Sequence, residues 1–199
     1  INGEKMSKSL GNFFTIREVL EKYHPEVVRY LLIASHYRSP INYSEDNLRE
    51  SKAALERFYN ALKGLPEAEP AAADEFVARF SAAMDDDFNT ASGCSVLFEL
   101  AREVNRLRDS DIQAAAALAA RLKSLAALLG VLQLEPEAFL QADAAGRVDA
   151  AAVEALIEAR LAARAAKDWA ASDQIRDQLS AMGVLLEDAK GVTTWRLAD

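Results

Sequence analysis

A mainly α-helical protein that ends in a small α+β unit is what this sequence predicts, on three observations. Apolar residues recur at helical spacing along most of the chain. Cap-forming side chains stand before successive stripes, with glycine or proline after them. Beyond Gly183 the period changes, and β-formers replace the helical pattern.

Residues 1–14 are polar and glycine-containing, with two lysines and two serines around Met6, which suits a mobile loop. Thr15 caps a short helix running toward His24. Pro25 ends it and opens a second helix through Val27, Val28, Leu31, Leu32 and Ala34. From Tyr37 to Tyr43, broken by Pro40, extended backbone is expected. Ser44 with Glu45 and Asp46 starts a long helix, whose stripe of Leu48, Leu55, Phe58, Tyr59 and Leu62 stops at Gly64.

Residues 65–73 read as a linker, followed by a helix carrying Phe76, Val77, Phe80 and Met84. Thr90 is expected to cap the next, with Val96, Leu97, Leu100, Val104 and Leu107 on one stripe. A further helix runs from about Asp111 to Leu129 and stops at Gly130. Amphipathic helices on short connections make an antiparallel bundle. Residues 141–150 form a second linker. An alanine-rich helix then carries Val153, Leu156, Ile157 and Leu161 toward Lys167, and Asp168 caps another that ends at Gly183. Val184 to Leu186, the Asp188-Ala189-Lys190-Gly191 turn and Val192 to Leu197 make a β-hairpin. Three segments follow: residues 1–43, a helical bundle over 44–142, and a terminal α+β unit over 143–199.

With 51% hydrophobic and 27% charged residues in 199, the chain is too apolar for a disordered tail. The single cysteine, Cys94, excludes a disulfide framework and suits a reducing cytoplasm; its apolar setting makes it a core residue rather than a nucleophile. No run approaches the roughly 20 apolar residues of a membrane span. The formal charge of −8 is adverse for binding nucleic acid through phosphates, so any RNA site must be local. The acidity is concentrated in residues 65–150, which hold seven Lys/Arg against fifteen Asp/Glu.

Lys5-Met6-Ser7-Lys8-Ser9 carries the strongest chemistry. Two ammonium groups three residues apart on a flexible loop can reach a triphosphate together, and Gly11 gives the loop room to close. The plain alternative is a solvated basic turn. Followed by Leu10-Gly11-Asn12, the string resembles the signature loop of class I aminoacyl-tRNA synthetases. That resemblance makes Lys5 and Lys8 catalytic and Lys5 to Ser9 an ATP loop, stabilising the transition state of amino-acid activation.

The resemblance extends along the chain and narrows to the cysteinyl-tRNA synthetases. It rests on Tyr23-His24-Pro25-Glu26-Val27-Val28-Arg29-Tyr30, on Ser35-His36-Tyr37-Arg38-Ser39-Pro40-Ile41-Asn42-Tyr43-Ser44, and on Met84-Asp85-Asp86-Asp87-Phe88-Asn89-Thr90. Beginning at Ile1 inside the motif loop, the chain reads as a carboxy-terminal fragment. By the resemblance the two-histidine phosphate motif and nucleotide-binding sheet lie upstream, so alone it is expected to make no adenylate. The family's zinc, which selects the cysteine thiolate, is likewise held upstream. No metal is expected here: His24 reads as a helix-end histidine, His36 as packed beside Tyr37, and Asp85 to Asp87 as an acidic approach to the following helix. The implied whole enzyme is a cytoplasmic monomer that joins cysteine and ATP into an adenylate and charges tRNA(Cys). Residues from about Phe13 to Tyr43 would touch the inner limb of that tRNA.

The last fifty residues resemble the family's anticodon-binding domain through Arg160-Leu161 to Arg164, Lys167-Asp168-Trp169-Ala170-Ala171-Ser172-Asp173, Ile175-Arg176-Asp177, Leu186-Glu187-Asp188 and Thr193-Thr194-Trp195. The resemblance makes Arg164, Trp169, Asp173, Arg176 and Asp188 the base readers. The chemistry fits a GCA anticodon: carboxylates such as Asp173 or Asp188 accept from the guanine edge, guanidinia donate to cytosine or phosphates, and an indole stacks on a flipped base. Singly, the residues allow plainer roles. Asp173 and Arg176 are three apart on a helix and can simply pair, and either tryptophan suits a core. Two other readings stay open: an ATP-dependent cysteine ligase of thiol biosynthesis, which shares the loop and early helices, and a helical scaffold with no RNA role.

Overall fold

The computed structural model describes residues 1, 3–7, 9, 12–13, 15–72, 75–141, 150–189 and 192–197. The chain forms two compact units, Ile1–Glu137 and Ala138–Asp199.

In the first unit, α1 (Ile16–Leu20) opens on a capping box: Thr15 accepts from the Glu18 amide, and the Glu18 carboxylate accepts from the Thr15 amide at 2.6 Å. Helix α2 (Pro25–Ile33) has proline at its first position and His24 as its cap, the imidazole accepting from the Glu26 amide at 3.2 Å. The next segment departs from expectation. Instead of running extended from Tyr37, it first turns, the Ser39 amide donating to His36 O at 2.8 Å. Pro40 constrains only the residue before it, so it leaves that turn intact.

Ser44 caps α3 (Glu45–Leu62) through the Asn47 amide, and Gly64 follows its end in a left-handed conformation, φ +71°. Arg108 closes that end from across the bundle, donating to Lys63 O and Ala61 O, each at 2.7 Å. A helix leaves its last carbonyls without intrahelical donors, and a guanidinium supplies several at once. The linker after α3 is tied to α6 by the Ala71 amide donating to Ala117 O at 3.0 Å and by Arg121 Nε donating to Ala71 O at 2.9 Å.

Helices α4 (Glu75–Asp85), α5 (Thr90–Leu107) and α6 (Ile112–Leu128) complete the bundle, with α5 packed along both α4 and α6. Asn89, not Thr90, caps α5, accepting from the Ser92 amide at 3.1 Å. The chain reverses through Asp87 and Phe88, both left-handed at φ +54° and +52°, which leaves Asn89 as the residue outside the first turn. Thr90 becomes the first helical residue and donates to Ser35 O instead. Asp111 caps α6, and Gly130 turns the chain away at φ +70°. A short helix, α7 (Pro136–Gln141), was not expected; six residues are too few to show a periodic stripe, although proline at the first position is a start signal.

The core is made by Leu48, Leu55, Phe58 and Tyr59 of α3, Phe80 of α4, Leu97, Leu100 and Val104 of α5, and Leu122 of α6, all essentially buried. Phe58 stacks on Phe98 with centroids 4.2 Å apart and meets the edge of Tyr30. Each such large apolar side chain contributes about 1.5–3 kcal/mol by leaving water.

The second unit places α8 (Ala150–Ala165) against α9 (Trp169–Ala181), capped by Asp168, and then a hairpin of β1 (Val184–Ala189) and β2 (Val192–Leu197). The strands pair antiparallel with Leu186 opposite Trp195 and Asp188 opposite Thr193. The second expected linker falls mostly at 142–149, outside the described residues, and so does the hairpin turn at 190–191. Val153, Ile157, Leu179, Val184 and Trp195 form this unit's core.

Candidate functional site

The amino-terminal loop is organised by two asparagines. Asn12 accepts from the Ser7 amide at 2.7 Å and donates to Lys5 O at 3.2 Å, closing the stretch into a compact turn. The Ser7 and Ser9 hydroxyls lie 2.7 Å apart. Asn42 accepts from the Gly3 amide at 2.9 Å, tying the loop to the approach to α3. Lys5 is exposed, and Met6 is 48% exposed. Lys8, Leu10 and Gly11 lie outside the described residues. Lys5 therefore sits in a hydrogen-bonded turn, open to an anionic ligand. Neither Asn12 nor Asn42 was singled out from the sequence as a loop staple; the signal was present, because asparagine both donates and accepts within turns.

In the first unit, two separate stretches meet at Asp87. Its carboxylate accepts from the Tyr37 hydroxyl at 2.8 Å, pairs with Arg38 Nε at 3.2 Å and faces His36 Nε2 at 3.8 Å. His36 stacks on Tyr37 with centroids 4.9 Å apart. The left-handed backbone at Asp87 is what turns its carboxylate back onto this segment. Cys94 is buried, and burial pushes its thiol up to about 11, so it is not a ready nucleophile. Among the described residues no three His, Cys, Asp or Glu side chains gather as metal ligands.

On α9, Trp169, Asp173 and Arg176 stand at i, i+4 and i+7, within about 60° around the helix axis. All three are exposed, Trp169 by 60%, while Ser172 and Leu179 face inward. Arg176 pairs with Asp173 at 3.1 Å and with Asp177 at 3.3 Å. These are surface ion pairs, typically worth 0–1 kcal/mol, and a bound ligand can displace them. The two tryptophans take opposite roles. Trp195 is 3% exposed and donates from Nε1 to Glu154 at 2.8 Å, whereas Trp169 offers an open ring. Arg164 stands exposed in the last turn of α8, shortly before the cap of α9. Asp188 occupies its register position on β1, and its side chain lies outside the described residues. The structure thus brings three of the five expected base readers onto one helix face.

Three family models match consecutive parts of the chain. Residues 1–53 match the class I (C) tRNA synthetase catalytic domain, residues 79–133 the DALR domain, and residues 150–196 the cysteinyl-tRNA ligase anticodon binding domain. Across all 199 residues the chain is 85% identical to a cysteine–tRNA ligase of Pseudomonas aeruginosa, 80% to one of Azotobacter vinelandii and 76% to one of Ectopseudomonas mendocina. The chain belongs to the cysteine–tRNA ligase family. It spans 43% of the length of each of these relatives. Within that family frame, the stretch matched to the catalytic domain contains the asparagine-stapled loop, α1 and α2. The Asp87 contact joins it to the stretch matched to the DALR domain, and the exposed face of α9 belongs to the stretch matched to the anticodon-binding domain.

Proposed function

We propose that this chain supplies the signature loop and the tRNA-reading part of a cysteine–tRNA ligase, which activates cysteine with ATP and transfers it to tRNA(Cys). The observation that carries the reading is the exposed Trp169–Asp173–Arg176 stripe in a segment matching an anticodon-binding domain. Trp169 stacks on an unstacked loop base. Asp173 accepts from a guanine edge, and Arg176, freed from its weak ion pairs, donates to a base or a phosphate. Arg164 and Asp188 complete the set of base readers. At the other end Lys5 and Lys8, with Met6, Ser7 and Ser9, close on the ATP phosphates and offset charge as pyrophosphate departs. That division of labour makes 1–43 the loop and stem-contact region, 44–142 the spacer bundle and 143–199 the anticodon reader. The enzyme is monomeric and cytoplasmic, and its zinc belongs to residues upstream of the loop. No described helix is long and apolar enough to cross a membrane.

The match at 150–196 disfavours a thiol-biosynthesis ligase, which lacks an anticodon domain, and the open aromatic on α9 disfavours a plain scaffold. Binding of labelled tRNA tests the reading. The chain should prefer a GCA anticodon over a swapped one and lose affinity as salt rises. Asp173→Ala and Arg176→Ala should abolish the preference. In a full-length ligase the same substitutions should lower charging and leave cysteine-dependent pyrophosphate exchange nearly intact. Equal affinity for both anticodons would overturn the proposal.

A further inference from the structure

Residues 130–134, which lead from α6 toward α7 and the second unit, are fastened to α2 and α3 by a small polar network. Arg29 Nη1 donates to Gly130 O at 2.9 Å. The buried Glu26 carboxylate accepts from the Gln133 amide at 2.9 Å and from the Tyr59 hydroxyl at 2.7 Å. The same hydroxyl accepts from the Leu134 amide at 3.3 Å. Between these ties Val131 and Leu132 are buried, and Leu132 is held left-handed at φ +59°, a conformation that leucine adopts only when its surroundings dictate it. At Gly130 a Cβ would come within 2.1 Å of Arg29 Nη1, so the guanidinium packs directly against the backbone.

A buried carboxylate taken out of water for two donors, one of them a connector amide, is an expensive way to hold a loop. Hydrophobic packing alone would leave the connector's amides wanting partners, whereas Glu26 and Tyr59 answer two of them and so fix the backbone's path. Only Glu135 lies between the last tied residue, Leu134, and α7. Any slack here is carried straight into the chain that leads to α8 and α9.

We propose that Glu26, Arg29 and Tyr59 are positioning residues. They form a buckle that fixes where the connector leaves the first unit, and so let one tRNA engage the stem-contact region and the anticodon-reading face together. The proposal rests on the tRNA-reading function argued above. Two sites on one ligand reinforce each other only when the tether presents the second at the right span. A loosened buckle lowers the effective concentration of the reader without touching its contacts.

The test compares two RNAs on the same chain: a whole tRNA with a GCA anticodon and its isolated anticodon stem–loop. Arg29→Ala, which trims an exposed side chain, is the primary variant, and Glu26→Gln, in which one amide cannot serve both donors, is the second. Both should weaken whole-tRNA binding about tenfold and leave stem–loop binding within about twofold. Unchanged whole-tRNA affinity in Arg29→Ala, with its thermal unfolding showing a folded chain, overturns the buckle. Parallel loss for both RNAs also overturns it, because the substitutions would then be acting on the reader itself. If the unsubstituted chain shows no preference for the GCA stem–loop, it is the tRNA-reading function that fails.

Discussion

Tyr59→Phe deletes one oxygen from the best-packed part of the first unit, and the structure allows its cost to be worked out. The hydroxyl is buried, donates to the Glu26 carboxylate at 2.7 Å and accepts from the Leu134 amide at 3.3 Å. A hydrogen bond to a charged group contributes about 1.5–3 kcal/mol, and the longer amide contact adds little. The ring stays, so no cavity term beyond one atom arises. A loss of about 2–3 kcal/mol is expected, or roughly 8–12 °C in melting temperature for a unit of this size. Urea unfolding at pH 7, followed by far-ultraviolet circular dichroism, reads it. Tryptophan fluorescence should not follow, because both tryptophans lie in the second unit. An alkaline arm checks the cause. Burial first, and then the bond to Glu26, raises the Tyr59 phenol above its ordinary value of 10.0. Below pH 10 the phenol is protonated folded or unfolded. Above it the unfolded chain ionises first, so stability falls with pH by about 1.4 kcal/mol per unit for this group. The phenylalanine variant lacks that component and should show a shallower alkaline decline. A loss below about 0.5 kcal/mol at pH 7, or an identical alkaline slope, would refute the reasoning.

Two further substitutions separate local effects. Gly130→Ala and Gly64→Ala both place a side chain on left-handed backbone, at φ +70° and +71°, for about 1–2 kcal/mol each. Only Gly130→Ala also displaces Arg29, so thermal melts should find it the more damaging, and equal losses would deny the Arg29 contact any weight. Trp195→Ala empties a core position and should cost about 3–5 kcal/mol, whereas Trp169→Ala, at 60% exposure, should leave stability within about 0.5 kcal/mol. Denaturation of the two variants checks the contrast, and Trp169→Ala should also weaken stem–loop binding about tenfold through lost stacking.

Most of the helical scaffold was legible because it is written locally. Thr15, Ser44, Asp111 and Asp168 cap the helices their positions announced, and Gly64 and Gly130 end them. The changed period after Gly183 likewise became a hairpin. What stayed hidden depends on distant partners. The choice of Asn89 over Thr90 as a cap follows from left-handed Asp87 and Phe88, and that turn is held by Tyr37 and Arg38, some fifty residues earlier. Sequence spacing could not reveal that Glu26 meets Gln133, more than a hundred residues away. In the candidate site, the i, i+4, i+7 spacing put Trp169, Asp173 and Arg176 on one face. Spacing alone could not tell which tryptophan was core, because both follow polar residues in similar surroundings. Burial assigned Trp195 to the core.

The most direct test of the account follows the two indole N–H signals by nitrogen-15 NMR while the GCA anticodon stem–loop is titrated into the chain. The account predicts that the Trp169 signal shifts and saturates, that the Trp195 signal, bonded to Glu154, stays in place, and that a stem–loop with a swapped anticodon moves neither at the same concentration. Bound RNA that leaves Trp169 unmoved would contradict it.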